Sequence, residues 1–230
     1  MIKPLWSSVL CMAALLSLPG CSGTLQAYKD TLSYAINPPA GVEFTLAQVQ
    51  QSSADLMYFR QGNQQRGALA LAFVEHNQQK WISADKVLIV MQHGRIVRTA
   101  GLKNDLWHVA ELDSDPLAQG VTALTAARWQ TAVDWQHDEY GYAVTTEFMA
   151  AEAAELSYFG QTLPVLKVVE KLTYLQPPRF MRFDQHWYNE YWFAAGSGQL
   201  LMSRQQMAPF QPVQEVVFIS RIARLIPQGE

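Results

Sequence analysis

The chain has 230 residues, 49% hydrophobic and only 16% charged, with 17 Lys+Arg against 20 Asp+Glu and a formal net charge of -3. A charge fraction below the roughly 25% of an average soluble domain, at ordinary apolar content, excludes intrinsic disorder and predicts a packed core. The slightly acidic balance supplies no basic field for phosphates and argues against nucleic acid as a partner, while two cysteines can build neither a disulfide framework nor a four-thiolate zinc site.

Lys3 and the amino terminus form a positive n-region, followed by a 12-residue apolar stretch from Leu5 to Leu16. As a helix that stretch rises only about 18 Å, short of a bilayer core of about 30 Å, so it reads as an export signal and not as a span. Leu18-Pro19-Gly20-Cys21 follows. This is the bacterial lipobox arrangement, with cleavage between Gly20 and Cys21 and lipid attachment to the cysteine. An ordinary cleaved signal with a chance cysteine is the alternative. By similarity to other bacterial lipoproteins, acyl chains on Cys21, palmitate among them, anchor the mature chain, and Ser22 favours the periplasmic face of the outer membrane. The predicted organisation is a signal peptide over residues 1–20, an anchor-proximal helix and linker over 21–41, and one β-rich periplasmic domain over 42–230. The longest apolar run after the signal, Ala68 to Val74, has seven residues, so no second membrane segment is expected.

Leu25, Tyr28, Leu32 and Ile36 recur at spacings of three and four and predict a helix over about 24–36, ended by Asn37-Pro38-Pro39. Thr45 is an N-cap candidate for a short second helix through Leu46, Val49 and Gln50. From Asp55 onward the period becomes two. Leu69, Leu71 and Phe73 alternate with Ala70 and Ala72, and Val87 to Met91 is apolar on both faces, as in a central strand. His93-Gly94-Arg95 predicts a tight turn into a strand from Ile96 to Thr99. Trp129, Thr131, Val133 and Trp135 share one face of a half-buried strand that turns at 137–141 into Tyr142, Val144, Thr146 and Phe148. Further strands are expected at about 163–175, 182–193, 199–204 and 213–222. The predicted class is mainly β: a large antiparallel meander of eight to eleven strands, curved into a sandwich or half-barrel, with one or two helices confined to the N-terminal end.

The catalytic search is negative. His76, His93, His108, His137 and His186 never fall at the i, i+4 spacing of a helical metal pair. No phosphate loop or nucleophile elbow is present, and Cys21 is consumed by the anchor, so no metal, no cofactor and no enzyme activity is expected. Asp113, Asp115, Asp134, Asp138 and Glu139 could form an acid/base pair, but their loop context predicts a solvated surface. Arg95 and Arg98, near Arg66, Lys80 and Lys86, read as charges guarding strand edges, with a face for an anionic ligand as the alternative. Six aromatics crowd the eleven residues from Phe183 to Phe193. Strand alternation sends Trp187 and Tyr191 one way and Tyr188 and Trp192 the other. Packing on both faces is the favoured account, with Trp187, Tyr191 and Trp192 as a platform for a glycan or a protein partner as the functional alternative.

Three segments carry a resemblance. The first is Val42-Glu43-Phe44-Thr45-Leu46-Ala47-Gln48-Val49, leading on to Gly67-Ala68-Leu69-Ala70-Leu71. The second is Trp81-Ile82-Ser83-Ala84-Asp85, running on to Gly94-Arg95-Ile96-Val97-Arg98-Thr99-Ala100-Gly101-Leu102 and Asp105-Leu106. The third is Tyr191-Trp192-Phe193, through Gly198 to Ser203-Arg204-Gln205. In that order, behind a lipobox, they resemble the YjbF/GfcB family of lipoproteins encoded with capsule and exopolysaccharide assembly genes. The resemblance implies a periplasmic, outer-membrane-anchored, non-catalytic accessory protein in capsule or exopolysaccharide assembly or secretion. Its partners would be the outer membrane, through the acyl chains on Cys21, and polysaccharide-secretion proteins or the glycan. It also implies a β-rich fold, and it transfers no enzymatic residue. The second reading is a lipid or lipoprotein carrier whose half-barrel encloses an apolar cavity.

Overall fold

The computed structural model describes residues 41–136, 139–176 and 185–227. The predicted signal peptide, Gly20 and Cys21, and the helix expected over 24–36 lie outside them. The chain enters through α1 (Leu46–Gln50), held by a reciprocal capping box: the Thr45 hydroxyl accepts from the Gln48 N–H and the Gln48 side chain accepts from the Thr45 N–H.

Thirteen strands then form one antiparallel sheet. The first five are β1 (Leu56–Gln61), β2 (Gly67–Glu75), β3 (Gln78–Ser83), β4 (Leu88–Gln92) and β5 (Arg95–Ala100). After β6 (Leu106–Val109) come three short 3-10 turns between Leu112 and Ala123, then β7 (Arg128–Trp135), β8 (Glu139–Phe148) and β9 (Glu152–Tyr158). The rest are β10 (Gln161–Tyr174), β11 (His186–Ala194), β12 (Leu200–Gln205) and β13 (Gln214–Val217), followed by α2 (Ile219–Leu225). Spatial order is β5-β4-β3-β2-β1-β13-β12-β11-β10-β8-β7-β6, with β9 extending the β8 edge of the long β10. Read as a circle this is a continuous meander, β1 joining β13 and the path left open between β5 and β6.

The result is a nearly closed barrel, the more complete form of the curved meander that the period-2 pattern predicts. At the open seam, side chains replace the ladder. Thr99 Oγ1 accepts from the Leu106 N–H at 2.9 Å and donates to Asp105 Oδ1 at 2.9 Å, and Gln205 Oε1 accepts from the Ile96 N–H at 2.9 Å.

Alternation sorts the core into two layers. Met57, Phe59, Trp81, Ile89, Val168, Tyr191 and Val216 fill the inside. Tyr58, Val165, Leu201 and Val217 face the other way and are covered by Val49 of α1 and Ile219, Ile222 and Ala223 of α2. This second helix corrects the expectation that helices are confined to the N-terminal end and that a strand runs to Ile222. β13 stops at Val217, because the outer face of β1, β12 and β13 is apolar and needs a cover. Trp129, Thr131, Val133 and Trp135 are buried as their alternation predicts. Phe73, by contrast, is 64% exposed, because a bulge between Leu71 and Phe73 carries the end of β2 off the core.

Candidate functional site

The densest chemistry among the described residues is an ionic cluster inside the barrel. Arg95 opens β5 directly after the turn His93-Gly94, whose positive φ values of 50° and 94° reverse the chain within two residues. Its side chain is only 6% exposed. Asp115 sits on the 3-10 segment after β6, where its carboxylate accepts from the Leu117 N–H at 3.1 Å and caps the turn that Pro116 begins. Glu170 occupies an inward position of β10 between Val168 and Leu172 and is fully buried.

The Arg95 guanidinium bridges both carboxylates. Nε and Nη2 donate to Asp115 at 2.5 and 3.1 Å, and Nη1 and Nη2 donate to Glu170 at 3.0 and 2.8 Å. Its face lies 4.7 Å from the centre of the Trp129 ring. Glu170 Oε2 also accepts from Tyr191 Oη at 3.0 Å and Asn189 Nδ2 at 3.2 Å, while Asn189 Oδ1 accepts from the Gln206 N–H at 2.8 Å. Burial opposes the charge on Arg95, yet the two carboxylates outweigh it and hold the guanidinium firmly protonated. Burial, and then the negative charge of Glu170, push the Tyr191 phenol well above its ordinary range.

This geometry corrects two readings. Arg95 does not guard a solvated edge, and Asp115 is not part of a solvated surface: they form a buried pair. Arg98 and Asp113 are exposed as expected, Asp134 is half-buried and accepts from the Gly141 N–H at 2.7 Å, and Asp138 lies outside the described residues. The signal for the cluster was one charge on a strand face that is otherwise apolar. Glu170 shares its face with Val168, Leu172 and Tyr174, and a carboxylate there requires a buried cation.

Trp187 and Tyr191 are 3% and 0% exposed and point into the barrel, whereas Trp192 is half-buried on the opposite face with Lys167 Nζ 5.3 Å from its ring. The three do not share a surface. Beside the ionic cluster the interior retains a cavity of about 40 Å³, lined by Arg95, Trp129, Trp187 and Asn189 among others. Ligand pockets run to about 300–1,000 Å³, so this space suits water and not an acyl chain. Asp115 and Glu170 are both committed to Arg95. Neither stands opposite the other across a cleft that a sugar ring could enter, as glycoside hydrolysis requires. Among the described residues no group of three His, Cys, Asp or Glu side chains is placed to hold a metal ion, and no helix is long and apolar enough to cross a membrane.

A family model described as group 4 capsule polysaccharide lipoprotein gfcB, YjbF matches residues 29–216. The uncharacterized lipoprotein GfcB of Escherichia coli strain K12 is 27% identical over 194 residues, 84% of this chain and 88% of the relative. The uncharacterized lipoprotein YjbF of the same strain is 26% identical over 200 residues, 86% and 91% of the two chains. The crystal structure of the hypothetical lipoprotein YmcC from Escherichia coli K12 is similar with a TM-score of 0.68 at 24% identity, over 87% of this chain and 96% of that one. At that identity the likeness speaks for the fold.

Proposed function

The chain belongs to the YjbF/GfcB family, and on that premise we propose that it is an outer-membrane-anchored periplasmic lipoprotein serving as a non-catalytic accessory factor in capsule or exopolysaccharide assembly or secretion. The observation that carries this reading is the family match across residues 29–216, whose description names a capsule polysaccharide lipoprotein. The lipobox ending in Cys21 supports the anchor. The non-catalytic role is supported by the use of the buried carboxylates: Asp115 and Glu170 neutralise Arg95 and brace the barrel. Work of this kind is done at the outer surface of the barrel, on secretion proteins or on the glycan.

A deletion strain and a Cys21→Ala strain should both lose surface polysaccharide, measured by extraction and uronic-acid or total-sugar assay. The Cys21→Ala protein should leave the membrane fraction. Normal polysaccharide in the deletion strain overturns the assignment. Crosslinking from the anchored protein in cells then identifies the component it touches.

A further inference from the structure

A second arginine is treated very differently from Arg95. Arg221, on α2, is half-buried, with its guanidinium 3.7 Å from the centre of the Phe218 ring. It donates to Leu200 O at 2.9 Å and to Gln79 Oε1 at 3.0 Å, both neutral acceptors. The nearest influential carboxylate, Asp55, is held by Arg224 through bonds of 2.6 and 3.2 Å. Among the described residues no carboxylate pairs with Arg221. Burial, with Arg224 adding repulsion and Asp55 only partly offsetting it, pushes its pKa down to about 10. A half-buried cation whose acceptors are all neutral is free to form a stronger, charge-assisted contact with an anion from outside the chain.

Arg221 lines an open groove of about 380 Å³ together with Asn77, Gln79, His93, Gly94 and Leu200. Two tight turns form its rim. His76-Asn77 ends the β2–β3 hairpin at φ 50° and 64°, and His93-Gly94 ends the β4–β5 hairpin at φ 50° and 94°. The second turn is pressed onto β12 so closely that a Cβ on Gly94 would lie 2.4 Å from Leu200 Cδ2. Phe193 and Leu200 add apolar surface to the groove. One guanidinium, two amide side chains, an imidazole and an apolar wall make a poor phosphate cradle, which calls for several cations or a nest of backbone N–H groups. They suit a single carboxylate carried on a polyhydroxyl ring that also has an apolar face.

We propose that this groove binds the carboxylate of an acidic saccharide, with Arg221 as its charge partner and Asn77, Gln79 and His93 as hydroxyl partners. The choice of a saccharide as the carrier of the carboxylate rests on the proposed role in polysaccharide assembly. Binding supplies the anion that the fold omits, so it weakens as salt screens the pair.

The test is calorimetric titration of the full-length chain in detergent with three probes: a glucuronic-acid-containing oligosaccharide, its carboxyl-reduced counterpart, and inorganic phosphate. The uronate oligosaccharide should bind saturably, and the reduced form and phosphate at least about tenfold more weakly, the worth of one charge-assisted contact. Arg221→Met should lose at least about tenfold in affinity. Asn77→Asp keeps a residue type that tolerates the left-handed turn and sets a negative charge on the rim, so it should weaken binding about threefold or more even if Arg221→Met fails to fold. Equal binding of the reduced oligosaccharide or of phosphate, or unchanged affinity in Asn77→Asp, overturns the proposal. Polysaccharide loss on deletion together with no uronate binding would refute the groove and leave the family role standing. Normal polysaccharide on deletion with specific uronate binding would do the reverse.

Discussion

Replacing Arg95 by methionine keeps most of the side-chain volume and removes the one cation shared by Asp115 and Glu170. Four hydrogen bonds at 2.5 to 3.1 Å are lost, and two carboxylates, 1% and 0% exposed, remain without their counter-ion. Breaking a buried ion pair from one side costs about 3–5 kcal/mol, and for a domain of this length that corresponds to a fall in Tm of roughly 6–20 °C. Glu170→Gln is the control: it leaves one cation opposite one carboxylate, so its loss should be smaller. Urea melts of the three proteins measure the effect. A deficit in Arg95→Met below about 1 kcal/mol, or one no larger than that of Glu170→Gln, would refute an ionic brace.

Gly94→Ala should cost about 1–3 kcal/mol by thermal melt, since its φ of 94° disfavours a side chain and the new Cβ meets Leu200 at 2.4 Å. Phe73→Ser should change stability by no more than about 0.5 kcal/mol, because the ring is 64% exposed; a larger loss would place Phe73 in the core. Tyr191 should stay protonated while exposed tyrosines ionise, and its stability contribution should fade as pH rises above the ordinary phenol value of about 10. Tyrosinate absorbance followed alongside circular dichroism checks this: one tyrosine should ionise only with unfolding, and Tyr191→Phe should remove that step.

Much of the barrel is legible in sequence because local periodicity and burial agree. The apolar set of β7 falls on the buried face at every second residue, the β4–β5 hairpin forms at His93-Gly94, and Thr45 caps α1. α2 is hidden because Val216-Val217-Phe218-Ile219 is a continuous apolar run, in which strand and helix cannot be told apart by period. The helical spacing of Ile219, Ile222, Ala223 and Ile226 was there to be read, but it prevails only because α2 must cover the outer faces of β1, β12 and β13. The ionic cluster is harder still to foresee, since Arg95 meets partners 20 and 75 residues away. Each charge looks solvated in its own neighbourhood, and only the closure of the barrel brings the three together.

That closure gives Arg95 and Arg221 different meanings. The barrel's edge strands, β5 and β6, exchange no ladder hydrogen bonds, and apolar packing across that seam is non-directional. The polar contacts there are directional. Arg95 on β5 must find Glu170 on β10 and Asp115 on the connecting segment at once, and Gln205 on β12 must reach the Ile96 N–H. A cluster in which every charged group is hydrogen-bonded therefore constrains how β5, β10 and the connecting segment meet, whatever its net contribution to stability. Arg221 has the same chemistry but bonds only a backbone carbonyl and an amide, and it faces an open groove. Its charge fixes no register, because neither neutral acceptor requires a cation. The demand it leaves unmet points away from the fold and toward an anion brought from outside.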